Sequence, residues 1–427
     1  MGVSVLRLSG ATDGEAAWQR SRAARSKNFF SRESARMNAN NKIRFADRLF
    51  GCGLSELRGT TMKHTLGFVL LCGLWLGACA PPPTPIPPTL IPAPTAVPSA
   101  TPAPLPTVVP SVTPAPLPTV ARGTLDPDFV LDVYDPAATW GTTIFADNHN
   151  LARPRIVEVN LLGEVVWQYL VPDHLRQFTN PGFDVEPLAN GNLLFVLPRN
   201  GVYEIERSGK VVWAYLNSQV SHDADRLPNG NTLIAFGAQD RREDAQLKEV
   251  NPRGEIVWQW FARDYFNVPP YTDIFEDGWT HTNAVTRLPN GNTLISLRNF
   301  HFVAELDPRG AVVQTIGKGI FQYQHDPEML PNGNLLLINH TDPNRVFEFD
   351  LRASKMVWQY PVPRQLVRDA NRLPNGNTLI TGSTTLFELS PQNKIVWQFG
   401  LKTPLERQDA AGRGFYKAER IGLVPGK

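Results

Sequence analysis

Downstream of about residue 125, short apolar runs alternate with polar punctuation, and one phrase keeps returning. It reads RLPNGNTLI at 226–234, 287–295 and 372–380, with the variants PLANGNLLF from Pro187 and MLPNGNLLL from Met329. An Asn-Gly pair between apolar alternating runs predicts a β-hairpin whose central residues both take positive φ. Each copy is followed by a second apolar strand, such as LKEV at 247–250 or FELS at 387–390, then a turn, then a strand ending in VVW or IVW. Those strands carry Trp167, Trp213, Trp258, Trp358 and Trp397. The turns before them hold Gly163, Gly209, Gly254, Ser354 and Asn393, mostly types that tolerate a left-handed backbone. One unit departs, keeping Gly310 at its turn but placing Gln314 where the tryptophan belongs.

A further unit lacks its first strand. GTTIF at 141–145, IVEV from Ile156 and GEVVWQY from Gly163 stand for the second, third and fourth, and FYKAERI at 415–421 matches the first strands SHDADRL and VRDANRL. Units recurring at this period signal a repeat architecture. Six four-stranded units, one completed by the end of the chain, predict an all-β, six-bladed β-propeller over 123–427 closed by a C-terminal strand. Closure removes the free sheet edge that a linear stack would leave.

The rest of the chain has a different composition. Residues 1–61 carry an excess of Lys and Arg without sustained periodicity, which on its own would suggest a nucleic-acid-binding tail. The adjoining segment argues against that: Met62-Lys63-His64 starts a basic region, 66–77 is apolar, and LGAC ends at Cys79. That run is too short to span a bilayer and predicts a signal peptide over 62–78. It resembles a bacterial lipoprotein signal, which implies cleavage before Cys79, lipidation of that residue and an extracytoplasmic, membrane-anchored protein. Translation is then expected to begin at Met62, with 1–61 a start-site artefact. Without 1–61 the formal charge of +2 becomes negative, and nucleic acid is not an expected partner. Of three cysteines (Cys52, Cys72, Cys79) only the last survives cleavage, so no disulfide is expected. Residues 79–122 are Pro/Thr-rich and predict an extended stalk, about a hundred ångströms long at roughly 3 Å per residue.

The candidate chemistry is imidazole. His222, His281 and His325 precede first-strand hairpins, His149 and His340 follow second strands, and His174 and His301 lie in segments joining the same face. All seven therefore belong to one side of the disc, and clustered titratable groups in a concavity mark active sites. His222 and His325 stand equally far before their turn glycines, Asn283 holds that position in the fourth unit, and Arg298 follows the next strand. Imidazoles, one amide and one guanidinium suit an oxyanion. Asp223 and Asp326, next to their histidines, are expected to point away or cap the turn. The long interval between Gly230 and Gly291 holds FARDYFNVPPYTDIFEDGWT, whose rings form either a satellite core or the wall of a pocket.

HDADRLPNGNTLI, HTNAVTRLPNGNTLISLRN and QHDPEMLPNGNLLLIN resemble the signature strands of the PAPS-independent bacterial arylsulfate sulfotransferases. The specific part is H-x-N followed by an arginine beyond the next strand. The resemblance implies a phenolic sulfate donor, a phenol acceptor, a ping-pong cycle and no cofactor or metal. His325 would become transiently sulfated. His222, His281, Asn283 and Arg298 would bind the sulfuryl or phenolic oxygens, and Trp279 and His340 would contact the substrate. Three other classes stay open: a His-rich zinc or copper site, a quinone-dependent dehydrogenase, and a non-catalytic scaffold lipoprotein.

Overall fold

The structure is a computed structural model and describes residues 123–341, 343–406 and 412–422. The extension, the signal, Cys79 and the stalk lie outside the described residues.

Six antiparallel sheets follow one another in the ring. The second blade runs outward through Asp184–Pro187, Leu193–Leu197, Gly201–Ile205 and Val211–Leu216. The first strands of successive blades touch one another around the axis. The second and third strands of the fourth blade are buried along their whole length (TLISL, FVAEL), since both faces of the blade meet a neighbour. Outer strands alternate between exposed and covered positions, as at Val211–Leu216. Six apolar clusters fill the six junctions. The one between the sixth and first blades joins Phe399 and Trp397 to Phe145 and Phe415.

The C-terminal strand Phe415–Ile421 pairs with Thr142–Asp147 and supplies the inner strand of the first blade, as the repeat implied. The sixth blade has five strands rather than four, because Phe129–Tyr134 adds outside Ile395–Leu401. The two chain ends thus lie in adjacent blades and brace one junction from its inner and outer sides.

The hairpin differs from the expected turn. Gly230 donates to the Leu227 carbonyl at 2.9 Å, Leu227 donates to Asn231 at 2.8 Å, and of the loop residues only Gly230 has positive φ, 85°. This is a three-residue loop, a type I turn closed by a left-handed glycine. Pro228 suits the first central position of that turn, where φ is negative, and Ala189 holds the same place in the second blade, where Gly191 and Leu188 make the same bonds. The side chains of the NGN triplet are also used. Asn229 Oδ1 accepts the Asn231 amide at 2.9 Å, and Asn231 Nδ2 donates to Glu249 on the third strand at 2.7 Å.

That glutamate links blades. Glu204, Glu249, Glu348 and Glu388 pair with Arg226, Arg287, Arg372 and Arg420 of the following blade, at 2.9 to 3.1 Å. The guanidiniums lie over Trp213, Trp258, Trp358 and Trp397 of the preceding blade at 4.9 to 5.9 Å. Where the fourth blade has Gln314 instead of tryptophan, the fifth has Met329 instead of arginine, and Gln314 itself donates to Glu305 at 2.6 Å.

Candidate active site

The mouth of the ring is built from the starts of the first strands. His222, Asn283, His325, Arg368 and Tyr416 occupy matching positions there, and His281 enters two residues before Asn283. His222 stacks against His281 at 5.9 Å and against Tyr416 at 5.3 Å, and His325 stacks on His340 at 4.0 Å. Arg298, in the turn Arg298–Phe300, lies over the Tyr323 ring at 4.6 Å, and Arg368 lies over Tyr416 at 4.9 Å. His281, His301 and Tyr323 all have left-handed φ between 45 and 60°, strain of the kind that collects around working sites.

Carbonyl partners fix the tautomers, because a carbonyl only accepts. His325 donates Nδ1–H to Tyr323 O at 2.9 Å, so its Nε2 keeps the lone pair. His281 likewise donates Nδ1–H to Asp277 O at 2.8 Å, while His340 donates Nε2–H to Val367 O at 2.6 Å. Two buried polar atoms, His222 Nδ1 and Asn283 Oδ1, have no partner among the described residues. Asn283 Nδ2 is held by Gln324 O at 3.0 Å, which aims the free oxygen.

The imidazoles are neutral. Burial, then His340 and Arg298, hold His325 well below its ordinary value; burial, His281 and Arg368 do the same to His222. Burial and the Arg298 charge take His281 down to about 3, and burial with Arg368 and Arg298 takes His340 to about 3. One guanidinium, Arg298, therefore acts on all four rings.

The rest of the wall was not legible as chemistry. Asp240 is buried and accepts from Thr280 N and His281 N, each at 3.1 Å, and from Gln246 Nε2 at 3.0 Å, fixing the backbone at His281. Asn299 ties the Arg298 turn to the long insertion through Glu276 O and Gly278 O, at 2.9 and 3.0 Å. Tyr323 Oη donates to Glu276 at 3.0 Å.

Of the expected residues, His222, His281, Asn283, Arg298, His325 and His340 come together. Trp279 does not. It is 1% exposed, donates its indole N–H to Tyr271 O at 2.8 Å, and packs with Phe266, Tyr271 and Phe300 in the apolar cluster of the junction between the third and fourth blades. Trp279 thus ties the insertion to that junction, while Phe275 at the tip is exposed. His149 is engaged by Asp147 at 2.7 Å, and His301 accepts from Tyr323 N at 3.2 Å. His174 lies in the turn Asp173–Phe178. Asp223 and Asp326 neither line the mouth nor cap a turn. They reach Lys417 Nζ at 2.7 and 3.0 Å.

A family model described as arylsulfotransferase (ASST) matches residues 143–323. The matched region contains His222, His281, Asn283 and Arg298 and ends just before His325. A search of curated proteins gave no significant match. Among solved structures, a protein of unknown function from Bacteroides caccae is similar at 19% identity and a TM-score of 0.46, over 60% of this chain and 93% of that one. Virginiamycin B lyase from Staphylococcus aureus is similar at 10% identity and a TM-score of 0.41, over 65% and 90%. Likenesses at this level carry no activity or substrate across.

Proposed function

We propose, for a chain that belongs to the arylsulfotransferase family over residues 143–323, that the mouth transfers a sulfuryl group from an aryl sulfate to a phenol through His325. The observation that carries this reading is the His325 tautomer: Nδ1–H is committed to Tyr323 O, and burial and Arg298 keep the ring neutral. Its Nε2 lone pair is then free to attack sulfur in line. The N–S bond forms as the ester S–O bond breaks, and the leaving phenolate takes the electron pair. Arg298 and Asn283 are suited to bind the sulfuryl oxygens, donors aimed where charge develops. In the second half, the acceptor phenol gives its proton to His222 or His281, its oxygen attacks sulfur, and the N–S bond returns its pair to His325. The first phenolate takes a proton from solvent after release, and the imidazole that took the acceptor's proton returns it to solvent, so each cycle closes. This cycle needs no cofactor.

The signal ending at Cys79 supports an extracytoplasmic, lipid-anchored location. The test of the chemistry is intact-mass measurement after brief exposure to an aryl sulfate without acceptor. One sulfo group per chain is expected, on the peptide carrying His325. In His325→Ala both the adduct and turnover should vanish; ping-pong transfer persisting in that variant would overturn the assignment.

A further inference from the structure

The channel changes character below the mouth. Lys417, from the C-terminal strand, reaches Asp223 at 2.7 Å, Asp326 at 3.0 Å and Asp184 at 3.5 Å. One level further, toward the hairpin turns, lies a cavity of about 500 Å³ that opens on the face opposite the histidines. Its lining includes Glu186, Asp223, Asp225, Asp326, Glu328 and Glu419, against Lys417 and Arg287. Arg287 is engaged by Glu249 at 3.1 Å, so the lysine is left facing a large excess of carboxylates.

Within that excess, one group converges. Asp184, Glu186 and Asp223 each present an oxygen, and the three lie within 4.8 Å of one another. Asp184 is 1% exposed, neither of its oxygens has a hydrogen bond among the described residues, and its ion pair there is a 3.5 Å approach to Lys417, which lies closer to Asp223 and Asp326. A buried carboxylate left in this state is costly without a cation.

We propose that Asp184, Glu186 and Asp223 form a binding site for a hard divalent cation of the calcium class, entered from the hairpin face. The all-oxygen donor set excludes a preference for zinc or copper. Oxygens at most 4.8 Å apart leave room for calcium, whose bonds are about 2.3–2.6 Å, and three direct carboxylates suit it better than magnesium, which usually keeps several waters. Asp184 and Glu186 belong to the second blade and Asp223 to the third, so the ion would join two blades. It would also offset the repulsion that Lys417 alone leaves. It is separate from the mouth and has no part in the transfer chemistry.

The experiment is calorimetric titration of calcium into the full mature chain after chelator dialysis, with thermal melting in parallel. One saturable site per chain is expected, with affinity roughly in the sub-millimolar range of extracellular calcium sites. Melting should rise by several degrees at saturation, with magnesium at least tenfold weaker. Glu186→Gln, at the cavity wall, and the isosteric Asp184→Asn should each weaken calcium binding at least tenfold and remove the melting shift, while aryl sulfate turnover is unchanged. No saturable binding up to about 10 mM calcium, or an equal shift in wild type and Glu186→Gln, would overturn the proposal, whether or not Asp184→Asn folds.

Discussion

Arg298 separates two roles at the mouth, holding charge and making the bond to sulfur. Removing one charge-assisted contact to a developing anion typically costs about 3 kcal/mol, roughly a hundredfold in rate. Arg298→Ala should therefore slow transfer by about that factor while sulfation of His325 remains detectable by mass, which distinguishes it from His325→Ala. The neutral ring also sets a pH profile. His325 is held well below its ordinary value, so kcat/KM should not fall between about pH 7 and 5. A tenfold loss per unit below about pH 6.5 would mean that the nucleophile titrates normally. Stability should behave differently. His281 and His340 sit at about 3 in the folded chain, below the unfolded value, so their neutral burial is favourable above about pH 6.5 and is progressively lost as pH falls toward 3. Chemical denaturation at pH 7 and 5 checks the sign. The histidines and Asn283 were legible because a fixed distance to the turn glycine puts them at one level. Arg368 and Tyr416 share that level, but residue type alone does not mark them and only their register in the repeat does. Trp279 was not placed correctly because an aromatic-rich insertion does not say which rings it spends on a blade junction.

At the scale of the element, the repeated arginine explains itself only in three dimensions. The sequence predicts the hairpin and the tryptophan strand separately, whereas the structure joins them across a blade junction as Trp, Glu and Arg. Trp at 314 and Arg at 329 are absent together, which accords with that joint use, while at the first junction Arg207 meets Trp167 and Glu158 in place of the arginine that Pro187 replaces. Arg226→Met should cost about 1–2 kcal/mol, from a part-buried ion pair and a cation–π contact, measured by urea denaturation. Glu305→Gln, at the junction that never had the arginine, should cost less. If the two changes cost the same, the shared unit contributes nothing beyond ordinary surface pairing. The turn type differs from expectation in every copy, with Ala189 before the Asn-Gly as much as with proline, so the three-residue loop belongs to the Asn-Gly-Asn triplet and its strands rather than to the proline.

For the whole molecule, closure and anchoring make separate predictions. A chain stopped before Phe415 leaves the first blade without its inner strand, so it should lose cooperative melting or aggregate, followed by scanning calorimetry and light scattering. If it melts like the full chain, Phe129–Tyr134 alone suffices to hold the junction. Cys79→Ser should leave the membrane fraction and take no lipid label; a mutant still acylated would sink the lipoprotein reading. The ring was legible as a whole because its six units repeat. The fifth strand of the sixth blade was not, since Phe129–Tyr134 carries no copy of the repeat. Closure by the last strand also sets an order in time. Thr142 waits for Ile421, almost the full length of the folded part away, and such distant pairings form late and slowly. During synthesis every blade but the first can be completed in turn, while the first keeps an unpaired edge until the ribosome has passed the codons for Phe415–Ile421. A ribosome that stalls there, or a protease that trims that strand, yields an open ring that also lacks Tyr416 at the mouth and Lys417 below it.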